Sequence, residues 1–231
     1  MALLEITDLK KHYRTGAGRV VPVVDIPRFE LEAEGEVALC GESGQGKTTF
    51  LHLIAGLIKP DAGVIRLDGR NLGGLSEPAR DRLRATTIGY IFQTFNLLSA
   101  FTCLENVLLG MAFGPGVDRD RAVSLLRRVR LGQRLDHFPG QLSTGQQQRL
   151  SVARALANHP KLVLADEPTG NLDEDNARRA LDLIRATCRE EKAALLLVSH
   201  DRRILDGVEK MIRLRDINRS PAPTEAEEVD A

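Results

Sequence analysis

Between Leu3 and Leu72 apolar and polar positions alternate in short runs, among them LLEI, RFELEAE and GVIRLDG, each bounded by Gly, Pro or Asp turn signals. A period of two closed by turn residues predicts strands joined as hairpins. EVALCGESGQGKTTFLHLIAGL breaks that pattern. An apolar strand passes through glycines into a segment whose Phe50, Leu51, Ile54, Leu57 and Ile58 recur at helical spacing. IGYIFQ, at 88–93, reads as a further strand.

From Asn96 to Asn158 the period lengthens. TCLENVLLGMAF, DRDRAVSLLRRVRL and GQQQRLSVARALAN each read as a helix, separated by GPG and HFPG. Strands return as KLVLADE at 161–167 and AALLLVS at 193–199, with the helix-like DNARRALDLIRATCREE between them. Continuous apolar runs alternating with helices suggest a parallel sheet covered on both faces. The expected fold class is α/β: a mainly parallel core, an N-terminal antiparallel β-subdomain and an inserted α-helical subdomain. SPAPTEAEEVDA at the end offers almost nothing to bury and predicts a disordered tail.

Composition narrows the function classes. The chain has 231 residues, 42% of them hydrophobic, enough for one large domain with a full core. Lys plus Arg and Asp plus Glu both number 32, so the charge is balanced and the basic footprint of a nucleic-acid binder is missing. Cys40, Cys103 and Cys188 are widely spaced without a CxxC pair, which suggests neither a disulfide framework nor a zinc site, and fits a reducing cytosol. The start reaches Glu5 too early for a signal peptide, and no apolar run approaches the roughly 20 residues that span a bilayer. Any membrane role is therefore expected through a partner.

Gly41, Glu42, Ser43, Gly44, Gln45, Gly46, Lys47 and Thr48 satisfy GxxxxGK[ST] between a strand and a helix. Such glycines let backbone N–H groups wrap phosphates, the lysine reaches the β and γ oxygens, and the threonine hydroxyl can ligate Mg²⁺. Asp166 and Glu167 end a buried strand, where open α/β sheets bind ligands, and suit metal holding and water activation respectively. His200 follows the next apolar run. Alone it reads as a loop histidine, Gln93 as polar edging and Tyr13 as core. QLSTGQ is open to two readings, a phosphate-sensing helix start or a polar loop; Ser143 and Gln146 have capping-box spacing.

In this order the pieces resemble the nucleotide-binding subunit of ATP-binding-cassette (ABC) transporters, over residues 3 to 215. Tyr13 matches the adenine-stacking aromatic, Gly41 to Thr48 the phosphate loop with Thr49 as a further cofactor-binding candidate, and Gln93 the glutamine hinge near Mg²⁺ and the membrane partner. Leu142 to Gln146, with Ser143, Thr144 and Gly145, match the signature LSGGQ, with Thr144 standing where the pattern has glycine. Asn171-Leu172-Asp173 match the D-loop and His200 the switch histidine. IFQTFNLLSAFTCLENV, RLDHFPGQLSTGQQQR and DEPTGNLD are similar to the branch of lipoprotein-releasing, macrolide-exporting and division-associated FtsE-type ATPases (LolD/MacB type).

The resemblance implies a single ABC ATPase domain over 1–231, with core and β-subdomain at 1–93 and 159–215, helical subdomain at 94–158 and an acidic tail at 216–231. It implies ATP and Mg²⁺ as cofactors, with Thr48, Gln93 and Asp166 toward the metal and Lys47, Glu167 and His200 in catalysis. Ser143, Thr144, Gly145, Gln146 and Asp173 would reach a nucleotide in a homodimer closed head to tail by ATP. An integral membrane permease would dock near Gln93 and the helical subdomain, leaving the chain cytoplasmic and peripheral to the inner membrane face. Transport of lipophilic cargo or a drug is the leading expectation. Transmembrane signalling and soluble assembly-factor ATPases stay open beside it.

Overall fold

The computed structural model describes residues 2–16, 18–42, 44–201, 205, 207–208 and 210–220. β1 (Ala2–Arg14) and β2 (Val20–Glu32) form a long antiparallel pair running from Ala2 opposite Glu32 to Arg14 opposite Val20. β4 (Ala62–Leu67) pairs antiparallel with the other side of β1, and β5 (Arg70–Asn71) closes that sheet. β3 (Glu36–Cys40), β6 (Ile88–Ile91), β7 (Leu162–Asp166), β8 (Ala194–Ser199) and β9 (Lys210–Arg213) form the second sheet. Its order is β6-β7-β8-β3-β9, with every pairing parallel.

The three inner strands are buried at every position, whereas β6 alternates and β9 is largely exposed. That gradient explains the continuous apolar runs, because only a strand covered on both faces needs them. One face of the parallel sheet packs Leu162, Leu164, Leu196 and Val198 on α1 (Lys47–Ile54) and on the antiparallel sheet. There Phe29 and Phe50 meet edge to face, with ring centroids 5.5 Å apart. The other face packs Val163, Ala165, Leu195 and Leu197 on the helices that follow β6 and on α6 (Glu174–Glu190). Each fully buried Leu, Ile or Phe stabilises this arrangement by about 1.5–3 kcal/mol.

Between β6 and β7 lie α3 (Cys103–Ala112), α4 (Arg119–Arg128) and α5 (Thr144–Ala155), as the periodicity predicts. α3 starts with a capping box of Thr102 and Glu105, α4 with Asp118. All three cysteines are free and buried. Among the described residues, no helix is long and apolar enough to cross a membrane.

Three features differ from the sequence reading. α2 (Glu77–Thr87) occupies a stretch to which the pattern assigns no element. Its buried residues are Arg80, Leu83 and Thr87, so it has no apolar stripe to recognise. β9 is an edge strand whose KMIR lacks both alternation and length. The boundary expected at 216 also moves. α7 (Leu214–Ile217) crosses it, and Asn218 then accepts from the Asp25 N–H at 2.8 Å and donates to the Val23 carbonyl at 3.0 Å. Arg219 N–H adds a bond to the Asp25 carbonyl. Leu214 and Ile217 pack on the core, and one Asn fastens the chain that follows to two positions of β2. The expected disorder of residues 221–231 lies outside the described residues.

Candidate functional site

Sheet order decides which side chains meet. β8 lies between β3 and β7, with Cys40 opposite Ser199 and Asp166 opposite Val198. The segments that leave these strands, with Gly41, Glu167 and His200, emerge together at the carboxyl edge of the sheet, and Gln93 leaves β6 at the same edge. A parallel sheet offers its ligand crevice there. A cleft of about 490 Å³ opens at this edge, lined by Gly41, Glu42, Gln45 and His200 among others.

α1 begins without a side-chain cap, its N-cap being Gly46 at φ +85°. The first turn thus offers backbone N–H groups to a ligand, with the positive helix end behind them. Glycine is required at position 46: a Cβ would stand 2.8 Å from the Val23 carbonyl oxygen. Lys47 is 8% exposed and folds back over the loop, donating to the carbonyls of Gly41 at 2.9 Å and Glu42 at 2.8 Å. Thr48 and Thr49 follow in the first turn of α1. Ser43 lies outside the described residues.

Glu167 joins the lysine to the histidine. Its Oε1 stands 3.4 Å from Lys47 Nζ, and its Oε2 accepts from the His200 backbone N–H at 3.2 Å and lies 2.9 Å from His200 Nδ1. The residue has φ +43°, a left-handed conformation that a side-chain-bearing residue adopts only when its surroundings impose it. Here its N–H donates to the Val198 carbonyl and its carbonyl accepts from Gly170. Asp166 on the same strand is 5% exposed. Burial raises its carboxyl above the ordinary range, against opposing influences from the Thr48 hydroxyl and His52, while the Glu167 charge adds to the rise.

Asp166 Oδ1 is buried without a hydrogen-bond partner, and Tyr90 Oη reaches the other oxygen only at 3.5 Å. An orphaned carboxylate oxygen beside a threonine hydroxyl fits a hard cation. No cluster of three or more His, Cys, Asp or Glu suited to a metal occurs among the described residues. One carboxylate oxygen and one hydroxyl match the sparse protein donor set with which Mg²⁺ is usually held, the rest coming from substrate oxygens and water.

The remaining candidates gather elsewhere. Ser143 caps α5: its Oγ accepts from the Gln146 N–H at 3.3 Å, and Gln146 Oε1 accepts from the Ser143 N–H at 2.9 Å. QLSTGQ is thus a helix start and not a loop. Thr144 takes the first helical position, has no positive φ, and is exposed. Ser143, Thr144 and Gly145 share a groove of about 800 Å³ with Asn171, Leu172 and Asp173. Asp173 itself caps α6, accepting from Asn176. None of the described phosphate-loop residues lines this groove.

Gln93 is exposed, and its carbonyl accepts from Asn171 Nδ2 at 2.9 Å. Tyr13 is half-buried near the end of β1, with Lys11 Nζ 5.6 Å from its ring centroid. Two residues at the site escape the sequence reading. Tyr90 reaches Asp166 because β6 and β7 are neighbours in register, which strand alternation cannot reveal. Arg154, in the last turn of α5, donates to the carbonyls of Phe95 and Asn96, and nothing in the helical spacing marks it as different from its neighbours.

The sequence model of the family described as "ABC transporter" matches residues 24–170. The lipoprotein-releasing system ATP-binding protein LolD of Hydrogenovibrio crunogenus is 42% identical over 217 residues, 93% of this chain and 94% of its own length. The macrolide export ATP-binding/permease protein MacB of Syntrophobacter fumaroxidans is 41% identical over 94% of this chain, which spans 31% of that protein. Among solved structures, the ATP-binding cassette MJ0796, dimeric in a post-hydrolysis state with ADP and Pi, superposes with a TM-score of 0.82. It shares 32% identity, covering 91% of this chain and 93% of that one.

Proposed function

This chain belongs to the ABC transporter family, and from that premise we propose that it is the subunit whose ATP hydrolysis energises a membrane permease exporting or extracting lipophilic cargo, a lipoprotein or a drug. It is an ATPase of the ABC type. The observation that carries the site reading is the placement of Glu167 between Lys47 and His200 at the sheet edge.

In this reading ATP lies over the first turn of α1, its adenine against Tyr13. The backbone of residues 41–49 binds the phosphates, and Lys47 exchanges its two carbonyl partners for phosphate oxygens. Thr48, Asp166 and Gln93 would hold Mg²⁺, which when bound offsets charge on those oxygens. Lys47 turning to phosphate leaves Glu167 Oε1 free to accept a proton from water as the water oxygen bonds to the γ-phosphorus and the bond to ADP breaks. His200 keeps Oε2 fixed, so the carboxylate is oriented before the reaction.

Ser143, Thr144, Gly145, Gln146 and Asp173 serve the nucleotide of a second copy. The groove lined by Ser143, Thr144, Gly145 and Asp173 includes none of the described phosphate-loop residues of the same chain, which favours a head-to-tail C₂ dimer. The N–H groups of Thr144 and Gly145 at the start of α5 suit a γ-phosphate there.

The permease is assigned to a second groove of about 650 Å³ between α2, β6, α3 and α5, whose lining includes Phe92, Asn96, Phe113 and Arg154. Phe113 is 75% exposed, and Leu98 and Phe101, before the other end of α3, are also exposed. Through that contact the chain sits on the cytoplasmic face of the membrane. The test is a pull-down of tagged Glu167→Gln protein, with ATP, from gently solubilised native membranes. Recovery of a polytopic membrane protein is expected. Recovery of soluble partners only would overturn the transport reading.

A further inference from the structure

The loop that leaves β6 after Gln93 is held in an unfavourable shape. Phe95 and Asn96 are consecutive and both at positive φ, 59° and 48°. In that region the Cβ crowds the backbone; asparagine tolerates it, whereas phenylalanine seldom adopts it. Thr94 Oγ1 bonds to the Asn96 side chain, which helps one residue of the pair.

Arg154 holds the other side. From the last turn of α5 its Nη1 donates to the Asn96 carbonyl at 2.5 Å and its Nη2 to the Phe95 carbonyl at 2.7 Å. Burial lowers the pKa of Arg154, and among the described residues no acidic neighbour offsets that cost. A half-buried guanidinium spent on two neutral carbonyls is a costly way to fasten a loop unless the loop's shape matters. Two further contacts fix the same segment. Asn171 donates to the Gln93 carbonyl, and Asn106 of α3 bonds both the N–H and the carbonyl of Leu98.

The same helix that ends at the clamp begins at Ser143. Its 12 residues form a rigid rod about 18 Å long, with the capped end in the groove of Thr144 and Asp173 and the other end on the Gln93 loop. Arg154 also lines the groove assigned above to the permease, so a partner seated there would press on the clamp.

We propose that Arg154 is a positioning residue for ATP hydrolysis: by holding the Phe95 and Asn96 carbonyls it keeps Gln93 in register with the helix that starts at Ser143. One rod thereby ties the group facing its own chain's nucleotide to the end facing the partner's. The inference rests on the assignment of Gln93 toward Mg²⁺.

The experiment compares wild type, Arg154→Met, Arg154→Lys and Gln93→Ala as full-length protein. It reads hydrogen exchange of the 94–97 amides and the Mg²⁺ dependence of ATPase activity. Arg154→Met is expected to speed exchange in that segment about tenfold, the size of one lost buried hydrogen bond. It should raise the Mg²⁺ concentration for half-maximal activity about fivefold, with kcat changed less than about twofold. Arg154→Lys, able to hold one carbonyl, falls between, and carries the test if the methionine variant does not fold. Gln93→Ala shifts the Mg²⁺ dependence in the same direction without altering exchange at 95–96. If Gln93→Ala shifts it and the Arg154 variants do not, the inference is wrong and the Gln93 assignment stands. If none of them shifts it, the Gln93 assignment falls and this inference with it.

Discussion

Lys47 Nζ and Glu167 Oε1 stand 3.4 Å apart on side chains that are each 8% exposed. The lysine is also the donor to two carbonyls of its own loop, and the glutamate is also the acceptor from His200. Each partner is therefore held by a second set of bonds. A ligand that takes the lysine does not displace the carboxylate, which keeps its place through the histidine.

Glu167→Gln preserves shape but removes the proton acceptor. Turnover should fall by about 10²–10⁴, the usual contribution of a general base, while ATP binding persists. Steady-state phosphate release and nucleotide binding, measured on the same preparation, decide it. Turnover within a few-fold of wild type would remove Glu167 from the catalytic assignment.

Gly46→Ala meets two obstacles, a positive φ and the Val23 carbonyl 2.8 Å from the new Cβ. Left-handed strain alone costs about 1–3 kcal/mol. Loss of ATP binding is expected, with a lower melting temperature that added ATP no longer raises. A variant that ATP still stabilises like wild type contradicts the assignment of this loop to phosphate.

Thr144→Gly tests the substituted helix start. Threonine there has ordinary helical geometry, so in the proposed dimer its effect would be steric, at the face that meets the second copy's nucleotide. Sedimentation in the Glu167→Gln background should find ATP-driven dimerisation tightened several-fold by glycine. Unchanged dimerisation and ATPase rate make the threonine neutral.

Glu191 supplies a pH-dependent clasp. Burial pushes its carboxyl up, but the Arg121 and Arg128 guanidiniums outweigh that and hold it below its ordinary 4.5. A depressed carboxylate stabilises the fold above its unfolded value and loses that contribution as pH falls through the folded one. Glu191→Gln should therefore cost about 1 kcal/mol at pH 7, after allowance for solvent screening, and progressively less below pH 4.5. Thermal melts of both proteins across pH 3 to 8 check this, and a difference that stays constant with pH is the contrary result.

Much of the site is legible in the sequence because it sits where strands end. GxxxxGK[ST] announces the turn before α1, and LVLADE and LLLVSH place polar groups after continuous apolar runs. The capping box at Ser143 and Gln146 is equally local, and is found as the spacing predicts. What stays hidden is whatever depends on neighbours distant in the chain. Tyr90 meets Asp166 across two strands, and Arg154 meets carbonyls 58 and 59 positions away. α2 hides for another reason: its inner face includes the stem of Arg80 lying over Gly56, so an arginine takes a place where an apolar residue was needed to mark the helix.

The groove of Ser143 and Thr144 and the loop of Gly41 to Thr48 are separate places on one chain, so in genetic terms they behave as separable functions. In the head-to-tail dimer proposed above, a copy damaged only at the loop would still lend its helix end to a neighbour, and a copy damaged only at the helix end would still hold its own ATP. Two such alleles expressed together rebuild one working site per mixed dimer, so each defect is complemented by the other although neither protein works alone.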